Sequence, residues 1–302
     1  MNTYFVNGAS KSLALIQAIV STLVTAAVFG AQASPASPLV TMPYRPNGKL
    51  ISLPVRVNRS HTLWFILDTG ARYSIVDSGV AKALKLQTLS VGQAGGVGRG
   101  TFTQYKLAPL NLSVGPLTLR LSGVEATNLG NTGTHDRYSG VVGWDLLKQY
   151  VVRIDPVAHT ISLYEPAHFT YLQRGAMVPL SSPEGRLFID VRLSIGRTSV
   201  VRKMRVDTGS EDAASDNLVR ESSRRRKSLQ GVGLGTPYVD YSGVFDAVQI
   251  GPYIVRNAWG PSNDRPAIGM EILRRFTLTF DVPAARLYLD PNEYFQAPVP
   301  SP

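Results

Sequence analysis

Asp-Thr-Gly occurs twice in this chain of 302 residues, as Asp68-Thr69-Gly70 and as Asp207-Thr208-Gly209. A run that reads as a β-strand precedes each copy: Leu63-Trp64-Phe65-Ile66-Leu67 before the first, Val200 to Val206 before the second. Taken singly, the tripeptide is a turn after a strand, its Asp bonding to local backbone. Two copies about half a chain apart suggest a duplicated lobe in which each half supplies one carboxylate. Two carboxylates at a pseudo-twofold axis can share a proton and activate a water, which makes Asp68 and Asp207 the candidate catalytic pair.

Other chemistries lack their residues. The chain has no cysteine, which excludes disulfides, thiolate metal sites and a cysteine nucleophile. His61, His135, His159 and His168 show no metal-ligand spacing and read as surface or turn residues. No Gly-x-Ser-x-Gly elbow is present. The glycine-rich runs at 95–100 and 231–235 fit neither Gly-x-Gly-x-x-Gly nor a phosphate loop with its lysine. No metal and no cofactor is expected.

The elements that would position the aspartates repeat as well. Val141-Val142-Gly143-Trp144-Asp145-Leu146-Leu147-Lys148-Gln149-Tyr150 matches Ala267-Ile268-Gly269-Met270-Glu271-Ile272-Leu273-Arg274-Arg275-Phe276 position by position. The register continues without a gap, with Val152-Arg153-Ile154-Asp155 on Leu278-Thr279-Phe280-Asp281 and Ile161 on Leu287. Gly96-Val97-Gly98-Arg99-Gly100 corresponds to Gly231-Val232-Gly233-Leu234-Gly235. Each copy therefore reads as strand, Asp-Thr-Gly, glycine-rich segment, apolar-apolar-Gly, short helix, strand, turn and strand. With Gly 27, Pro 20 and many short Val/Ile/Leu/Tyr runs, the expectation is an all-β chain. The lobes are set at 48–168 and 169–296, and residues 297–302 are expected to be a disordered tail.

Hydrophobic residues at 44% and charged residues at 17% describe a globular protein. Lys11, the apolar stretch Ser12 to Gly30 and Ala31-Gln32-Ala33 form a signal-peptide pattern over 1–33, followed by a Pro-rich mature N-terminus over 34–47. Cleavage would leave the protein exported, periplasmic or secreted; the alternative is an uncleaved N-terminal membrane anchor. The net charge of +10 is densest at Arg220, Arg224, Arg225, Arg226 and Lys227. No aromatic residues interleave there, so the cluster reads as the solvated end of a helix starting at Asp216 or Asn217. Nucleic acid is not expected as a partner, and a weak attraction to anionic surfaces is the most the charge implies.

The order Phe65-Ile66-Leu67-Asp68-Thr69-Gly70-Ala71, glycine-rich hairpin, Val141-Val142-Gly143 resembles the aspartic peptidases, in their retropepsin-like branch. Asp-Thr-Gly-Ala is the form of retroviral-type subunits, while Asp-Thr-Gly-Ser at 207–210 is more similar to pepsin. The nearest likeness is to the bacterial exported aspartyl proteases in which two such lobes are fused in one chain. The resemblance implies a bilobal acid-protease fold of two β-barrel lobes, and an endopeptidase acting on a peptide or protein as a monomer. It makes Asp68 and Asp207 an interchangeable catalytic dyad. Thr69 and Thr208 would cross-link the catalytic loops, and Gly70 and Gly209 would allow the turn and present N–H groups. It also implies flaps in which Gly95, Gly96, Gly98, Gly231 and Gly233 close over a substrate bound as an added strand. Plain hairpin turns are the alternative reading of those glycines, and a catalytically inert peptide-binding module is the alternative function. One departure stands out: Ser210-Glu211-Asp212 follows the second tripeptide, and these acids are expected to raise the proton affinity of the dyad.

Overall fold

The computed structural model describes residues 37–130 and 137–299. The expected signal segment 1–33, its anchor alternative and His135 lie outside the described residues. The protein is all-β: strands drawn from residues 45–142 make one sheet, strands from 188–268 a second, and a third six-stranded sheet mixes the two halves. That third sheet runs in the order Val40–Pro43, Thr160–Tyr164, Val151–Asp155, Phe276–Asp281, Arg286–Pro291, Ala176–Pro179.

The halves meet at its centre. Val151–Asp155 and Phe276–Asp281 pair antiparallel with Val152 opposite Phe280, Arg153 opposite Thr279 and Ile154 opposite Leu278. Arg153 and Thr279 are repeat equivalents in the sequence, so each faces its own counterpart. A contact between equivalent positions must straddle the twofold relating them, and this fixes one point of a pseudo-twofold axis. The turns that follow are also equivalent: His159 and Ala285 take left-handed backbone angles, φ 50° and 56°.

Burial explains why these segments are strands. Leu63–Leu67 lies inside its sheet, antiparallel to Leu50–Val57 and parallel to Gly140–Val142, and its apolar run is buried on both faces. Thr198–Val206 repeats the pairing, antiparallel to Phe188–Ile195 and parallel to Ala267–Ile268, but only Met204 and Val206 at its end are buried. Short helices Trp144–Leu147 and Met270–Leu273 follow Gly143 and Gly269, one after each glycine motif as expected. Phe65, Phe245, Phe276 and Phe280 are fully buried in one continuous core.

Three details differ from the sequence reading. The Pro-rich stretch contains strands: Val40–Pro43 pairs with Thr160–Tyr164, and Arg45–Asn47 with Leu50–Val57. Asp216 does cap a helical turn, accepting from the Leu218 N–H at 2.7 Å, but the turn is the short 3₁₀ segment Asn217–Glu221, and the chain re-enters a sheet at Arg226–Gln230. The arginines there are partnered across strands: Arg220 with Asp240, Arg224 with Asp246, and Arg225 and Arg226 over the rings of Tyr241 and Trp259. The aromatics that do not interleave in sequence are supplied by neighbouring strands.

The tail begins under restraint. Arg275 is 2% exposed; its Nη1 donates to the carbonyls of Tyr294, Phe295 and Ala297, and its Nη2 to that of Pro298. Its Nη2 also donates to Glu271 Oε1 at 3.1 Å, and Glu271 Oε2 pairs with Lys49 Nζ at 2.8 Å. Glu271 thus ties the first-half turn at Lys49 to the tail. Arg275→Met should strip the tail carbonyls of their donor and remove part of the Glu271 compensation, costing about 3 kcal/mol in urea unfolding.

Candidate active site

Each tripeptide is placed by the parallel pairing of the strand before it. The pairing continues one residue further, so the Asp68 N–H donates to Val142 O and the Asp207 N–H to Ile268 O, both at 2.9 Å. Each carboxylate then folds back on its own loop. Asp68 Oδ1 accepts from the Gly70 N–H at 2.7 Å, and Asp207 Oδ1 from the Gly209 N–H at 3.1 Å.

The threonines join the two loops. The Thr69 hydroxyl donates to Val206 O at 2.6 Å and accepts from the Thr208 N–H at 3.1 Å. Reciprocally, the Thr208 hydroxyl donates to Leu67 O at 2.7 Å and accepts from the Thr69 N–H at 3.0 Å. Both residues are essentially buried, at 1% and 0% exposure. The exchange is between repeat equivalents, so it lies on the same pseudo-twofold axis as Arg153 and Thr279.

The glycines set how closely the carboxylates can approach the axis. A Cβ on Gly70 would stand 2.9 Å from Asp207 Cγ, and one on Gly209 would stand 2.5 Å from Asp68 Cγ. Each glycine therefore makes room for the opposite half's carboxylate, a requirement distinct from the tightness of its own turn. The structure brings Asp68 and Asp207 together at this point.

The electrostatics are not symmetric. Burial and then the Asp207 charge push Asp68 up to about 7, against the pull of Arg205 and the Gly70 N–H. Arg205 Nη2 stands 2.6 Å from Asp207 Oδ2. Burial works against the guanidinium's charge, but Asp207 and Asp68 more than offset it and hold Arg205 above its ordinary value. The two acids after the second tripeptide stand differently. Glu211 Oε1 accepts from the Lys49 N–H at 2.7 Å, while Asp212, pushed up to about 6 chiefly by burial, also feels the Asp207 charge; on Asp68 the rise comes from burial and Asp207.

The glycine-rich runs are the tips of two hairpins, Thr88–Gly95 with Thr101–Leu107 and Arg226–Gln230 with Tyr238–Ile250. The tips pair with each other. The Gly98 N–H donates to Leu234 O at 2.9 Å, and Arg99 and Thr236 exchange N–H···O bonds of 2.9 and 2.8 Å. A Cβ on Gly96 would lie 2.2 Å from Leu234 O, on Gly98 2.7 Å from Gly235 C, on Gly231 2.8 Å from Gly98 Cα and on Gly233 2.8 Å from Val97 Cγ2. Gly95 is exposed and would meet nothing within 4 Å. Three of the five glycines thus allow backbone to pack on backbone between hairpins, and Gly233 makes room for the Val97 side chain, which a plain turn would not need.

Three contributors carried no expectation. Arg205 sits inside the strand run before the second tripeptide; the signal was a base where the first half has Ile66. Asp145 and Glu271, aligned acids of the repeat, brace the loops: Asp145 Oδ2 accepts from the Ser74 N–H at 2.8 Å, while Glu271 anchors Lys49. Among the described residues no group of histidines and acids could hold a metal.

An all-β fold with Asp-Thr-Gly loops cross-linked on a pseudo-twofold axis defines the class to which the chain is most similar, the acid proteases. Residues 53–146 match a family model described as aspartyl protease, and the match supports a retropepsin-like aspartic peptidase family. The matched stretch contains Asp68 and ends in the helix after Gly143; Asp207 lies beyond it. No curated protein matches the chain.

Thr208→Val should leave the Thr69 N–H and Leu67 O unpaired in the interior and cost about 3 kcal/mol in urea unfolding. Thr69→Val should cost about as much, with the double variant losing less than the sum because both belong to one network. Asp68 also makes stability depend on pH. The native carboxyl keeps a proton that the unfolded one, titrating near about 4, has released, so stability falls as pH rises from about 4 to about 7. Asp68→Asn should remove that decline; equal slopes for the two proteins in unfolding measured across this range would reject it.

Proposed function

We propose that the protein is an aspartic endopeptidase that hydrolyses peptide bonds with a water activated between Asp68 and Asp207. The observation that carries this reading is the reciprocal Thr69–Thr208 exchange, which holds two carboxylates face to face across glycines that leave no room for a side chain. In the singly protonated pair, the carboxylate takes a proton as the water oxygen bonds to the amide carbon, and the acid gives its proton to the carbonyl oxygen. Collapse of the tetrahedral adduct passes a proton to the leaving nitrogen and breaks the C–N bond, and no covalent enzyme intermediate forms. The substrate is an extended peptide or protein segment taken up as an added strand beneath the paired hairpin tips. The working form is a monomer, since both carboxylates come from one chain, and the signal-peptide pattern of the sequence favours export without the first 33 residues.

A second reading, a peptide-binding module that does not cleave, is favoured by one observation: Arg205 already takes an oxygen of Asp207. The two readings part on turnover. The chain from Ser34 onward, assayed on a mixed peptide library from acid to neutral pH, should cleave. Asp68→Asn and Asp207→Asn should each lower the rate at least about 10³-fold. Full activity in either variant would refute the dyad, and a folded monomer that cleaves nothing would favour the binding module.

A further inference from the structure

Arg205 has a place that the repeat does not supply twice. It stands two residues before Asp207 on Thr198–Val206, at the position that Ile66 occupies before Asp68. Side chains two apart on a strand return to the same face, which brings the guanidinium to the carboxylate. The pair is enclosed, with side-chain exposures of 19% for Arg205 and 10% for Asp207, and the buried Arg205 Nε has no hydrogen-bond partner. On the strands flanking it, Arg205 faces Phe188 and Ala267, neither of which carries charge. The other titratable groups around Asp207 are Asp68 and Asp212, the latter also pushed up by burial, with Glu211 and Lys49 beyond; Lys49 is engaged by Glu211 and Glu271. Asp68 has the Gly70 N–H and a buried Ile66 where Asp207 has a cation.

We propose that Arg205 is a positioning residue for the proton of the dyad, holding Asp207 as the carboxylate that accepts from the attacking water and leaving Asp68 as the acid that donates to the substrate carbonyl. The assignment rests on the endopeptidase reading and deepens it: the aspartates are not interchangeable, and the asymmetry precedes any substrate. The burial that pushes Asp68 up acts in the same direction, keeping its proton in place from acid to near-neutral pH. Arg205 gives up no proton itself. It also favours the charged form of both carboxylates, so its removal must move both titrations upward, that of Asp207 further because the guanidinium is on it.

The test is a carbon-13 NMR titration of the aspartate side-chain carboxyls in the whole chain, assigned with Asp68→Asn and Asp207→Asn. In the unaltered protein Asp207 should titrate below Asp68. In Arg205→Met the Asp207 midpoint should rise by roughly 1–3 pH units, and Arg205→Lys should restore most of the difference. Asp68 titrating first, or an Asp207 midpoint unmoved in a folded Arg205→Met protein, would overturn the proposal. Should Arg205→Met not fold, the titration order of the unaltered protein still decides. None of this needs turnover, so absence of cleavage would count against the endopeptidase reading alone. Where cleavage is seen, the acid limb of kcat/KM should move up with Arg205→Met; a slower enzyme with an unchanged pH profile would mean that Arg205 only supports the structure.

Discussion

Neither half of this molecule can satisfy its own Asp-Thr-Gly loop. The Thr69 hydroxyl and N–H find their partners in the second half, and those of Thr208 in the first. All four groups are buried, and an interior donor or acceptor left without a partner costs about 1–3 kcal/mol. The rest of the architecture answers this constraint. The strands before the tripeptides are held parallel to Gly140–Val142 and Ala267–Ile268 so that the loops emerge in one orientation. The shared sheet joins the halves at Arg153 and Thr279, which fixes the axis across which the threonines exchange bonds.

The backbone keeps that symmetry more closely than the side chains do. Ile66 is answered by Arg205, Gln149 by Arg275 and Asp145 by Glu271. The first two changes load charge onto the second half while the third keeps an acid, and each charged group has a partner: Asp207 for Arg205, the tail carbonyls and Glu271 for Arg275, Lys49 for Glu271. A duplicated framework can diverge this way because hydrogen bonds along the axis depend on backbone and threonine, while the flanking positions remain free to vary.

Much of this was legible in the sequence. The tripeptides, the Gly-helix blocks and the strand register could be read because each repeated, and repetition separates a constraint from a coincidence. What could not be read depended on contacts between distant segments. Arg205 looked like one basic residue among Arg202 and Lys203 on a strand, and nothing in its neighbours says that its face is the one carrying Asp207. The acids at 211 and 212 looked like charge crowded on the dyad, but Lys49, far away in sequence, accounts for Glu211. The arginines at 224–226 lacked aromatics in sequence and gained them from Tyr241 and Trp259 across the sheet. The strands hidden in the Pro-rich segment were masked by Pro43 and Pro46, yet both lie in strands at sheet margins, where a missing N–H is tolerated.

Three of the crossings between the halves, the sheet junction, the threonine exchange and the hairpin tips, differ in how readily they could part. The sheet junction is buried and the threonine exchange is enclosed, so separating either exposes a core or strands polar groups. The hairpin tips are another matter. They are joined by three backbone hydrogen bonds between residues of which Arg99 and Thr236 are exposed, and such bonds contribute about 1 kcal/mol each because water replaces them. Side-chain contact there is limited to pieces such as the Arg99 guanidinium over the Tyr238 ring and Val97 against Gly233. A chain entering as an extra strand would offer the tips the same kind of bonds that they give up to each other. The fold therefore encloses its crossing at the carboxylates and exposes the one at the tips.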